Sequence, residues 1–473
     1  MSSLFNDINA RQLPKMMKYS ELTPLGISCS AKKIRYFPIG GNNYGPGNNI
    51  VRIALSSSSA FLDPSLTCLK FKYTNTHAGE TSLLDGSAHS FISRIRITSQ
   101  SSNQDLEDIR HYNQLHALLS DATMGLNTRF TKSYEGYGYG GFLQKGRSPV
   151  VAQVASANGA VAKQDEIKED LTGSTAESMG FNEPTFGAGT GGTFCIPLIS
   201  SLIGTSAKKY LPLFLTGQIM LEIEINPFAT YCVNDVAPKF IISDIELQCQ
   251  MVEFNSDINN SLKTLCFQTH EPDAQGNIDP SGLYLHCHQW SSYLSSSIAG
   301  LAAQSMMISE RLKSVKSVLV HFNKKRTNQT RAMARYNSLV KDFQIKIGSS
   351  YYPDQAIVAG VTKSTNSDYL TELYKSLGCY TDINHNSIIN SENFESAENG
   401  ATKIGRSAFG LDLDGFSVSA DNNIESGVNC ILNNPMIITM NTSGPALECD
   451  MYVHLLHDAL IKIGGDGRVT KSS

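Results

Sequence analysis

Three stretches carry residue types at spacings that could do chemistry. His286, Cys287 and His288, with His270 upstream, form the best metal candidate. Two histidines two apart on a strand face the same side and suit a ligand pair. A cupin-like site would also need an acidic ligand a few residues on, where the chain instead reads QWSSYLSSS. A strand end with two same-face histidines beside the sole tryptophan, Trp290, is therefore expected, and no metal ligand is assigned. Residues 187–192, Gly-Ala-Gly-Thr-Gly-Gly, fit G-x-G-x-x-G. A dinucleotide loop, however, must leave a buried strand and open a helix. Polar text precedes this one and β-branched text follows, with Pro197 close behind, so it is expected to deliver the chain into a strand.

The third stretch runs from Arg311 to Lys341, with nine Lys or Arg and no acid. It reads either as a solvated loop or as a contact to a polyanion or to a neighbouring subunit. Lys324, Lys325, Arg326, Arg331 and Arg335 are the residues assigned to that contact. Few aromatics accompany them, so phosphate neutralisation is implied and base stacking is not. Asp412 and Asp414 alternate with Leu411 and Leu413, as on the wet face of a strand. The chain has no G-x-S-x-G, no H-E-x-x-H and no recognisable Ser/His/Asp arrangement. No catalytic residue and no cofactor is assigned, and the chain is not expected to be an enzyme.

Composition narrows the class further. In 473 residues, 41% are hydrophobic, enough to fold, but only 17% are charged, below the typical quarter or so. A net charge of −4 excludes a generic polyanion binder, and a sparsely charged surface limits repulsion between packed copies. The ten cysteines include no C-x-x-C pair, and the several that sit within apolar alternation, as Cys249 and Cys449 do, are expected to be small buried hydrophobes in a reducing compartment. The N-terminal text lacks the apolar stretch of a signal peptide, and no window reaches 18 consecutive apolar residues. A soluble protein made inside the cell is expected.

The elements that must position these residues are mostly strands. Period-two alternation runs through IVRIAL, LKFKYT, RIRIT, QIMLEIEIN and DIELQCQM, each a half-buried antiparallel strand. ALECDMYVHLL alternates likewise, setting Cys449, Met451, Val453 and Leu455 against Glu448, Asp450 and His454. Two helices interrupt. DLEDIRHYNQLHALL has Asp105, Glu107 and Asp108 in its first turn and a stripe of Ile109, Tyr112, Leu115 and Leu119. SDYLTELYKSLG has Ser367 or Asp368 as cap and Gly378 as stop. Strands, a helix, a long loop and a terminal strand pair occur in that order twice, split near residue 256. Two related β-sandwiches in tandem are expected.

Four stretches, taken in order, resemble one family. They are IVRIALSSSSAFLDPSLTCLKFKYTN, FISRIRITSQSSNQDLEDIRHYNQLHALLSD, KYLPLFLTGQIMLEIEIN, and FQIKIGSSYYPDQAI followed by SDYLTELYKSLG. They resemble double jelly-roll major capsid proteins of the tectivirus–adenovirus–giant-virus lineage, nearest those of polinton-like viruses, adintoviruses and virophages. The resemblance implies an all-β fold with minor helices: two tandem eight-stranded antiparallel jelly-roll sandwiches. With the boundaries read above, residues 1–45 are an N-terminal arm and 46–256 the first roll, with a long loop at 135–190. Residues 257–473 are the second roll, with a long loop at 380–406 and a short C-terminal tail.

The resemblance also implies a homotrimeric, pseudo-hexameric capsomer tiling an icosahedral shell around a DNA genome. Its partners would be itself, penton and minor capsid proteins, and the viral genome or an internal membrane. Its place would be the virion. The alternatives are a jelly-roll attachment module, lectin-like or spike, and a cupin-like metalloenzyme using His286 and His288.

Overall fold

The computed structural model describes residues 29–80, 82–137, 185–232, 237–267, 282–297, 302–309, 311–324, 335–336, 340–358, 366–382, 385–389, 394, 404–405, 407–415, 426–431, 435–442, 448–464 and 467–472. Strand alternation dictates the first sandwich. In Ile219–Ile225, residues Ile219, Leu221, Ile223 and Ile225 are buried while Met220, Glu222 and Glu224 are not. Arg52 of a neighbouring strand meets Glu222 at 2.8 Å on the outer side. One face thus joins the core and the other carries cross-strand ion pairs.

The strands of the first half are β1 (Cys29–Tyr36), β2 (Ile50–Leu55), β3 (Ala60–Asn75), β4 (Ser82–Leu84), β5 (Ile92–Ser99) and β6 (Gln104–Arg110). They continue with β7 (Thr185–Phe186), β8 (Gly191–Pro197), β9 (Leu211–Pro212), β10 (Ile219–Ile225), β11 (Thr230–Cys232) and β12 (Phe240–Phe254). One sheet has the order β1-β12-β3-β8 and the facing sheet β2-β10-β5-β6. Counting only these eight strands along the chain, the sheets read 1-8-3-6 and 2-7-4-5. This is the wrapped antiparallel order of a jelly roll.

The second half contains β13 (Leu283–Ser297), β14 (Ala303–Ile308), β15 (Val315–Lys324), β16 (Arg335–Tyr336), β17 (Val340–Ile347) and β18 (Ser350–Val358). Then come β19 (Ile404–Gly405), β20 (Phe409–Asp412), β21 (Met436–Thr442), β22 (Cys449–Ile463) and β23 (Val469–Ser472). Strand β22 lies between β13 and β15, β20 pairs with β15, and the other sheet is β14-β21-β17-β18. The principal strands again read 1-8-3-6 and 2-7-4-5. The chain is two jelly rolls of identical topology in tandem, and one apolar core runs through both, from Tyr44 to Val469.

Short helices sit at matching places. Helix α1 (Tyr112–Thr123) follows the fifth principal strand of the first roll, β6. A second, α2 (Leu126–Thr131), comes directly after it. The turn α3 (Leu213–Thr216) precedes β10, and α4 (Ser256–Phe267) links the two rolls. Helix α5 (Ser367–Ser376) follows β18, the fifth principal strand of the second roll. It lies close on β20, where a Cβ on Gly410 would stand 2.8 Å from the Leu373 Cα.

Several expectations need correction. DLEDIR is not the start of a helix but strand β6; the helix begins only at Tyr112, after His111 turns the backbone left-handed at φ 50°. The acids expected in its first turn lie on the strand instead: Asp108 pairs with Arg94 and Asp105 with Arg96 across the sheet, and Glu107 accepts from Ser201 N. Cys29–Tyr36, placed in the arm, is the first strand of the first roll, registered against Phe254–Leu247 of β12. In α5 the N-cap position falls to Asn366, which makes no side-chain cap bond, whereas Gly378 takes φ 68° just past its end as a stop should. The loop at 135–190 lies largely outside the described residues, as does much of 380–406.

Candidate functional site

The glycine run is a tight turn between strands of two different sheets, closed by Thr190 N donating to the Gly187 carbonyl at 3.1 Å. Gly187–Thr190 joins β7 to β8, Gly189 has φ 72°, and a Cβ on Gly191 would lie 1.8 Å from the Tyr73 carbonyl oxygen. Glycine is required there by close strand approach, and no helix N-terminus follows.

Of the basic run, Lys324 ends β15, while Lys325, Arg326 and Arg331 lie outside the described residues. Arg335 leaves the proposed contact set: it is fully buried on β16, with Nη2 2.7 Å from Asp121 Oδ2. Asp121, buried on α1, also accepts from Arg129. One carboxylate therefore sits between two interior guanidiniums, one from each half of the chain. A buried charge needs such pairing.

Asp121 belongs to a polar seam between the rolls. Gln114 of α1 accepts from Asn323 Nδ2 at 2.6 Å and faces His321 Nε2 at 3.3 Å. His321 stacks on Tyr452 and on His454, each with ring centroids 5.2 Å apart. Gln289 donates to the Leu106 carbonyl at 3.0 Å and to Ser201 Oγ at 3.1 Å. At the far end the Gln104 amide donates to Lys471 O and accepts from Lys471 N, at 3.2 and 3.1 Å, clasping β23. The polar face of β22 is thus interior, against a neighbour and not in water: His454 is fully buried and Asp450 nearly so. The sequence alternation is real, but the first roll covers the second face.

Two serine–histidine contacts occur here, Ser291 with His457 at 3.0 Å and Ser292 with His454 at 2.7 Å. Neither has the machinery of a nucleophile. The second nitrogen of His457 meets the backbone carbonyl of Asp458, not its carboxylate. Burial drives His457 down to about 4 and His454 to about 3, too acidic for a general base near neutrality. A polar cavity of about 180 Å³ opens in the seam beside them, lined by Arg110, Trp290, Arg311 and Lys471 among others.

The structure supplies the acid that the His286/His288 pair lacked. Asp458 Oδ1 lies 2.9 Å from His286 Nε2 and 3.1 Å from His288 Nδ1. Ser314 donates to Oδ2 at 2.7 Å. The three possible ligand atoms lie within 4.8 Å of one another. Lys316 Nζ stands 3.6 Å from the same Oδ1 and 3.5 Å from Asp414. Its ammonium sets a positive charge beside the carboxylate. Against the upward push of burial, the hydrogen bonds from His288 and Ser314 and the Lys316 charge hold Asp458 well below the usual carboxylate range. Burial outweighs Asp458 at His286 and lowers its pKa. The cluster is a carboxylate hub fixing β13, β15 and β22 to one another. Asp458 is opposite His288 in the β13–β22 register but remote in sequence, so spacing alone gave no signal for it. His270 lies outside the described residues.

No family model matches the sequence, and no curated protein matches it. The fold matches solved structures over nearly its whole length. The Faustovirus major capsid protein superposes with a TM-score of 0.60 at 10% identity, covering 97% of this chain and 94% of that one. VP54 of PBCV-1 gives 0.56 at 11%, covering 96% and 99%. A chain of the Sputnik virophage structure gives 0.55 at 13%, covering 98% and 92%. At such identities the likeness is one of fold: a double jelly roll.

Proposed function

We propose that this chain is a major capsid protein, three copies of which close into a pseudo-hexagonal capsomer that tiles an icosahedral shell around a DNA genome. The observation that carries the reading is the repeated 1-8-3-6 and 2-7-4-5 strand order within one chain. Two like blocks per subunit, taken three times, give six near-equivalent corners. The Faustovirus and PBCV-1 proteins that share the fold are named as capsid components, which supports the same role here. Exposed apolar side chains at sheet edges, such as Met307 on β14 and Val358 on β18, both 64% exposed, suit burial between subunits. The reading places the protein in the virion, made in the host cell, with penton and minor capsid proteins as further partners. It assigns no catalytic step.

Lys324, Lys325, Arg326 and Arg331 are the proposed contact to a polyanion, genome or lipid headgroup, or to a neighbouring capsomer. Replacing Lys324, Lys325 and Arg326 with Gln lowers the salt dependence of DNA binding by roughly one unit of log–log slope per lost phosphate contact; an unchanged slope removes the polyanion role. Light scattering on the eluting protein tests the main reading. A mass three times 51.6 kDa, with hexagonal plates or closed particles in negative stain, is expected. A monomer that binds a glycan array would overturn it in favour of an attachment module.

A further inference from the structure

We propose that Cys68 and Cys195 are a thiol pair placed to close into a disulfide, stapling β3 to β8 on the open face of the first roll. Cysteines in apolar alternation, such as Cys249 and Cys449, are expected to be buried hydrophobes. Cys249, Cys287, Cys430 and Cys449 are, but Cys68 and Cys195 are both partly exposed. The strand pattern explains why. Leu69, Phe71, Phe194 and Ile196 fill the inner face of β3 and β8, so Cys68 and Cys195, one residue out of phase, point outward.

The antiparallel register sets Cys68 opposite Pro197 and Cys195 opposite Lys70, making the cysteines diagonal neighbours on one face. Their sulfurs stand 3.0 Å apart. A disulfide needs about 2.05 Å, so closure asks for a sulfur displacement of about 1 Å, within reach of side-chain rotation on a sheet surface.

The pair is also chemically asymmetric. The Cys195 thiol donates to the Cys68 sulfur, and with the nearby Lys33 charge this lowers Cys68 to about 7 against the opposing effect of burial. The same bond, together with burial, pushes Cys195 up. Cys68 is therefore the attacking thiolate and Cys195 the resolving thiol. With a low-molecular-weight disulfide such as oxidised glutathione as oxidant, Cys68 attacks one of its sulfurs and expels one thiolate, leaving a mixed disulfide. Cys195 then gives its proton to water and attacks the Cys68 sulfur, expelling the second thiolate. Two cysteine thiols are oxidised to one disulfide, and the oxidant is reduced to two thiols. The ring so closed joins residues 127 positions apart, a separation at which a crosslink restricts the unfolded chain strongly. In a reducing cytosol the pair stays open; in an oxidising medium it shuts.

The test uses the full chain, reduced, freed of reductant and titrated with oxidised glutathione. Expected are the loss of two of ten titratable thiols, a Cys68–Cys195 linked peptide in non-reducing mass spectrometry, and a rise in Tm of roughly 5 °C reversed by reductant. Cys68→Ser and Cys195→Ser each abolish the rise, while Cys379→Ser keeps it. If either variant fails to fold, the wild-type peptide map still decides. Both thiols alkylated after oxidation, or linked peptides joining other cysteines, would overturn the proposal.

Discussion

Strands β12 and β22 hold the same place in their rolls: each is the last principal strand, fifteen residues long, and lies second in the 1-8-3-6 sheet. Yet β12 alternates over most of its length, with its outward side open enough for Glu253 to meet Lys32 at 2.8 Å in an exposed pair, whereas the first half of β22 is buried on both faces. One topology thus produces two surfaces. The first roll displays ion pairs, and the second carries histidine, serine, asparagine and tyrosine pressed against its neighbour. Exposed ion pairs add little. Interior polar groups cost heavily unless satisfied, so the seam is where single substitutions act hardest.

The largest expected effect is at Asp121. Asp121→Ala strands Arg129 and Arg335 without their shared anion and should cost about 3–5 kcal/mol, read by urea denaturation or as loss of soluble protein. An effect under about 1 kcal/mol would mean that the seam is wet and the contrast with the open face false.

Acid should act next. Burial holds His454 at about 3 and His457 at about 4, below the ordinary 6.5, so the unfolded chain binds these protons first. The stabilisation is complete above about pH 6.5 and is lost as pH falls toward the folded values, amounting to roughly 2 kcal/mol per histidine by pH 5. Thermal melts between pH 7.5 and 4.5 should show that decline, and His454→Gln should flatten it. A wild-type curve flat over that range would count against a dry seam.

The smallest effect belongs to the exposed ion pairs of the first roll. Asp105→Asn, which breaks the exposed pair with Arg96, should change stability by less than about 1 kcal/mol, and less still in high salt. A change as large as that at Asp121 would erase the distinction between the two faces.

What the sequence made legible follows from range. Ile219–Ile225 and Val51–Leu55 announce strands because their partners need only be apolar on one side. DLEDIR misleads because its acidic residues and apolar spacing satisfy a helix start as well as a strand; the choice is made by Arg94 and Arg96, placed across the sheet by the β5–β6 hairpin. Arg335 is indistinguishable from Lys325 in a basic run until Asp121 arrives from the other roll. The His286/His288 pair was visible, but its acid, Asp458, becomes a neighbour only through strand register.

Helix α4 has a kinetic consequence. Because it tethers the rolls covalently and docks on the first through Asn259, whose amide donates to the Ser59 carbonyl at 2.9 Å, their meeting is a first-order event at a fixed local concentration. Dilution leaves the union of the two halves untouched. On the proposed capsid role, only contacts between separate copies would answer to concentration, and each copy would enter and leave an assembly with its two halves already joined.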